Sequence, residues 1–112
     1  MILEEIKNKI REIPEILEVY EISVADSKTP KPFVEIRKGV TAEASPFNKT
    51  YYNLTVHTDR VNIQDLEDIA NDLIVKIEDT PELELFELNG QRHDDNMKSY
   101  CKLIEIRTLD EK

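Results

Sequence analysis

The sequence predicts an α+β domain, a mainly antiparallel sheet with two helices packed on one face, in the order α-β-β-β-α-β-β. Three observations carry that prediction. Two segments repeat apolar residues at steps of three and four, the mark of a helix with one apolar stripe. Other segments alternate apolar and polar residues with a period of two, as half-buried strands do. The strand-like runs also follow one another through short polar turns, which suits hairpins rather than parallel crossovers.

The first helix is read from Ile2, Leu3, Ile6, Ile10 and Ile13, which share a stripe among Glu4, Glu5, Lys7, Lys9, Arg11 and Glu12, with Pro14 as the stop. A stripe this narrow needs tertiary packing to persist. Leu17, Val19, Tyr20, Ile22 and Val24 favour a strand from Leu17 or Glu18 onward. Residues 26–32 then form a polar loop with Pro30 and Pro32, which favour an extended path. A second strand spans 33–37, with Phe33, Glu35 and Arg37 opposite Val34 and Ile36, and Gly39 is read as its end. Residues 40–49 read as either a mobile loop or a long hairpin arm.

The third strand, 50–57, sets Tyr52, Leu54 and Val56 against Tyr51, Asn53, Thr55 and His57, so one side of the sheet stays wet. The second helix follows, capped by Asn62 and striped by Ile63, Leu66, Ile69, Ala70, Leu73 and Ile77, and Pro81 limits it. Residues 83–88 form a fourth strand with an irregularity at Leu85-Phe86, and Asn89-Gly90 marks a turn. A polar connection, 91–96, leads to a fifth strand over 97–108. Tyr100, Ile104 and Ile106 face one way in it, Cys101, Leu103 and Glu105 the other. Residues 109–112 read as a frayed tail.

A chain of 112 residues makes one domain and buries roughly two-thirds of its unfolded surface. With 24 acidic against 15 basic residues the net charge is −9, which disfavours tight binding to nucleic acid or to anionic membranes. One cysteine, Cys101, permits no internal disulfide and is compatible with a reducing compartment. Residues 1–13 mix charges too closely for a signal peptide, and no apolar run approaches membrane-spanning length, so a soluble intracellular protein is expected.

The search for chemistry finds little. His93-Asp94-Asp95 has metal-ligand types, but three adjacent residues converge poorly on one ion, and a turn solvating its own charges is the simpler reading. His57 has no spacing partner. Cys101 lacks a nucleophile signature and reads as a half-buried strand cysteine. No catalytic, cofactor or metal residues are therefore assigned. Two features suggest contacts instead. Phe47 beside Pro46 either packs on its own domain or reaches a neighbour, and the second strand, entered through prolines, is read as a sheet edge open to another chain. The candidate contact residues are Phe33, Glu35, Arg37, Val40, Pro46, Phe47 and Lys49.

The element order, and the run Pro32-Phe33-Val34-Glu35-Ile36 after a proline-bearing loop, resemble the tail terminator (tail completion) proteins of long-tailed bacteriophages. The strand 51–57 leading into the helix 62–77, and the late pair 83–88 and 100–106, extend the resemblance over residues 1–108. It implies a non-enzymatic structural protein of a phage or prophage. Such proteins assemble as a ring, typically a hexamer, that caps the tail tube and joins it to the head. Implied partners are sister copies, a tail tube protein and a head-connector protein. The implied locations are the cytoplasm of the bacterial host during assembly and then the tail or neck of the virion. Alternatives are a head-closure or other neck protein of the same assembly, and a small ligand-binding regulatory α+β module with an apolar pocket.

Overall fold

The computed structural model describes residues 2–44, 47–59 and 63–111, with 43, 44, 47, 48, 63 and 109–111 described by backbone alone. Helix α1 (Leu3–Arg11) is followed by strands β1 (Val19–Glu21), β2 (Phe33–Ala44) and β3 (Phe47–Asp59). Helix α2 (Ile63–Glu78) then precedes β4 (Leu83–Asp94) and β5 (Ser99–Glu111). This is the α+β order the sequence predicts. The five strands form one sheet in the order β1-β2-β3-β5-β4. Every pairing is antiparallel except β1 with β2, which is parallel and short.

Both helices lie on the same face. Val34 pairs with Val56, Ile36 with Leu54, Leu54 with Ile104 and Tyr52 with Ile106, so these side chains share one side of the sheet. Ile6 and Ile10 of α1 and Leu66, Ile69, Ala70, Leu73 and Ile77 of α2 close over them in a single buried cluster. Most of each stripe read from the sequence is thus buried, but Ile2, read into the first, precedes the helix and is 63% exposed, and Ile63 of the second is described by backbone alone. Helix α2 ends where the backbone turns at Asp79 and Thr80, and the Thr80 hydroxyl donates to the Lys76 carbonyl at 2.8 Å, ahead of Pro81. Asn62, the expected cap, lies outside the described residues. No helix among them is long and apolar enough to cross a membrane.

The sheet outruns its helical cover. The 16 residues of α2 span about 24 Å, whereas the 13-residue β3 and β5 span about 44 Å, close to the 45 Å longest dimension of the molecule.

Several boundaries differ from expectation. Helix α1 stops at Arg11, three residues before Pro14, because Glu12 and Ile13 already tighten into shorter-range bonds to Lys9 and Ile10. Strand β1 is only three residues long, and residues 22–24 turn away, with Ser23 at φ 71°. Gly39 does not end β2. Lys38 pairs with Tyr52 and Thr41 with Thr50, so Gly39 and Val40 together oppose Tyr51 as a β-bulge. A Cβ on Gly39 would come within 3.1 Å of the Tyr51 carbonyl oxygen, and glycine allows the close approach. Residues 40–44 and 47–49 are thus paired arms of a long hairpin, and the reading of 40–49 as a loop is set aside.

Nor is Asn89-Gly90 the hairpin turn. Leu88 pairs with Ile104 and Gln91 with Lys102, leaving Asn89 and Gly90 opposite Leu103 as a second bulge. The chain reverses at 95–98 instead. The irregularity expected at Leu85-Phe86 is present, with Phe86 the extra residue between the Leu85–Ile106 and Glu87–Glu105 pairs. Residues 109–111, read as a tail, continue β5 opposite Phe47, Asn48 and Lys49.

Candidate functional site

The face of the sheet without helices is where polar chemistry gathers. Phe33, His57, Cys101 and Arg92 form one cross-strand row over four adjacent strands, β2, β3, β5 and β4. Alternation puts all four on the side opposite the helices. At the β4 end, Asp94 pairs with Ser99, one step from Arg92 and Cys101. With Glu35, Arg37, Asn53, Thr55, Ile22 and Leu103, several of these line an open cleft of roughly 300 Å³.

His57 is the centre of this cluster. Its ring stacks on Phe33 at 4.8 Å and is 1% exposed. Nδ1 lies 2.8 Å from the Ser99 hydroxyl and Nε2 lies 3.2 Å from Glu35 Oε1. The tautomer that donates Nε2–H to Glu35 leaves Nδ1 to accept from Ser99, so one neutral imidazole satisfies both partners. Burial lowers the His57 pKa, and the Glu35 carboxylate pulls the other way. Ser99, His57 and Glu35 thus have the connectivity of a hydroxyl–imidazole–carboxylate relay. Ser99 is fully buried, however, so the relay positions the ring and does not present a nucleophile to a substrate.

Cys101 is also fully buried, more so than the half-buried cysteine expected. Burial pushes its thiol pKa up, while a hydrogen bond from Arg92 Nε at 3.2 Å favours the thiolate. The Asp94 carboxylate is aimed by the Met97 N–H, which donates to Oδ1 at 3.0 Å. Ligand atoms of His57, Asp94 and Cys101 all lie within 4.8 Å of one another. His93 does not join them. It is the cross-strand partner of Tyr100, and its Nδ1 meets Asp95 Oδ1 at 2.9 Å, a local pair in the turn.

The residues expected to make contacts are placed unevenly. Phe33 is fully buried between Tyr20 and His57, so it presents no surface. Glu35 is turned to His57. Arg37 is exposed, Lys49 is half-buried, and Val40 is 72% exposed at the β2 bulge. Phe47 is described by backbone alone, and Pro46 lies outside the described residues. Strand β2 is not a simple edge. β1 covers it at residues 34–36, and beyond Ile36 no strand among the described residues pairs with its outer side. The other sheet edge is β4, where Phe86 and Leu88 are 51% and 45% exposed. Phe86 meets Tyr51 edge-on, with the Arg107 guanidinium over its ring and Glu84 bonded to Arg107 at 2.6 Å.

Sequence reasoning missed the His57–Asp94–Cys101 cluster. The signal that would have found it is cross-strand register, which brings His57 to residues 37 and 44 positions further along the chain. In comparisons with known proteins, the chain matches no family model and no curated sequence.

Proposed function

We propose that this protein is a ring-forming structural subunit of a phage or prophage tail, of the tail-terminator type, working by contacts between sister copies and with the tail tube. The observation that carries the reading is the outer side of β2 beyond Ile36, which no strand among the described residues pairs and where Val40 is exposed. A strand edge of this length invites pairing with another chain. The opposite edge, β4, is a different surface with exposed Phe86 and Leu88. Contact between two unlike edges of identical subunits is head-to-tail, and it closes into a ring when the rotation per subunit divides a full turn. The net charge of −9 suits a lumen through which DNA slides without sticking.

Light scattering and negative-stain electron microscopy test the proposal, on the protein alone and mixed with tail tubes. Rings, or caps on tube ends, are expected. A monomer at every concentration that also leaves tubes uncapped would overturn it. Binding to portal-bearing heads in place of tubes would reassign the protein to the neck.

A further inference from the structure

We propose that His57, Asp94 and Cys101 form a binding site for a thiophilic divalent metal, for which zinc fits best. The three come from β3, the end of β4 and β5, and their ligand atoms lie within 4.8 Å of one another. Zinc bonds of about 2.0–2.3 Å place tetrahedral ligands about 3.5 Å apart, so the cluster needs to draw in by about an ångström. Imidazole, thiolate and carboxylate together favour zinc or cobalt over calcium or magnesium, which take oxygen ligands. Charge supports the assignment too. A thiolate and a carboxylate cancel a divalent ion, and a neutral site suits a place where His57 and Cys101 are 1% and 0% exposed. The metal also supplies the positive charge that stabilises a thiolate in a buried setting.

The surroundings already hold the parts that orient such ligands. Whichever ring nitrogen of His57 takes the metal, the other keeps a partner, Glu35 on Nε2 or Ser99 on Nδ1. The Met97 N–H holds one carboxylate oxygen of Asp94. Arg92 donates Nε–H to Cys101 Sγ and is itself exposed, so it can remain as an outer donor to the bound thiolate or swing into solvent. Three protein ligands leave a fourth position for water. Bound there, a metal clips the far end of β4 to the middle of the sheet. This inference is independent of the tail assignment, because it rests on other residues and another face.

Cobalt(II) titration of the reduced full-length chain tests the site, since Cys101 is the sole source of a thiolate-to-cobalt charge-transfer band. The expected result is that band, together with intense tetrahedral d–d bands, saturating at one equivalent and bleached by zinc. Cys101→Ser should abolish the charge-transfer band, and Asp94→Asn, at a half-buried position, should weaken affinity by about tenfold or more. His93→Ala should change neither. Circular dichroism checks that each variant is folded. No charge-transfer band from wild type with a verified free thiol would overturn the proposal. So would loss of binding in His93→Ala with Asp94→Asn unaffected, which would place the metal on the surface pair.

Discussion

Replacing His57 by glutamine probes the most constrained group on the helix-free face. The imidazole is 1% exposed, and burial holds its pKa below the ordinary 6.5 although Glu35 pulls it upward. In the pH window between the folded value and 6.5, the unfolded chain binds the proton more readily than the native one. Stability therefore falls as pH drops through that window and is level above it. A full one-proton difference is worth about 1.4 kcal/mol per pH unit, so wild type should lose up to about that much between pH 6.5 and 5.5. The glutamine variant starts lower, by about 1–3 kcal/mol for two disturbed hydrogen bonds, but its curve should be flatter by the His57 contribution. Urea midpoints from pH 5 to 8, with a chelator present, give both curves. The difference between them cancels the carboxylates and His93. Removing the opposing charge with Glu35→Gln should lower the folded pKa further and stretch the sloping region to lower pH. Parallel curves for wild type and His57→Gln would refute a neutral, buried imidazole.

Three other outcomes follow from the same geometry. Leu54→Ala removes a fully buried side chain between Ile36 and Ile104 and should cost about 2–5 kcal/mol in urea unfolding. Glu87 sits directly across from Glu105, and their shared hydrogen bond, the main cause, raises the Glu105 pKa. Like carboxyl groups directly opposite each other across a ladder are unfavourable, so Glu87→Gln should stabilise the fold by a few tenths of a kcal/mol to about 1 kcal/mol at pH 7 in urea unfolding. Val40→Asp on the exposed bulge of β2 should leave thermal stability within about 0.5 kcal/mol of wild type while abolishing rings or tube caps in micrographs. Unchanged rings would remove the β2 edge from the interface.

Much of the fold was legible because it depends on local periodicity. The stripes of α1 and α2 and the alternation Tyr52, Leu54, Val56 report directly which side meets the core. What was hidden depends on pairing partners. Gly39 and Asn89-Gly90 are strong breakers in isolation, yet both sit in bulges, where an extra residue bends a strand without ending it. Residues 109–111 look like loose ends until Phe47, Asn48 and Lys49 supply a ladder for them. The same reason conceals the candidate metal site. His57, Asp94 and Cys101 meet only because β3, β5 and β4 are neighbours in one register, and no short motif encodes that.

The two bulges of β4 act as a pair of phase shifts. The first, at Phe86, swaps the outward and inward series of side chains, so that Leu88 pairs with Ile104. The second, at Asn89-Gly90, swaps it back in time for Arg92 to oppose Cys101. Deleting Phe86, or one of Asn89 and Gly90, would flatten one bulge and leave every downstream pair in place, with Arg92 still opposite Cys101. This strand can therefore lose one residue at either spot without moving its far end, a tolerance that the unbroken ladder between β3 and β5 does not share.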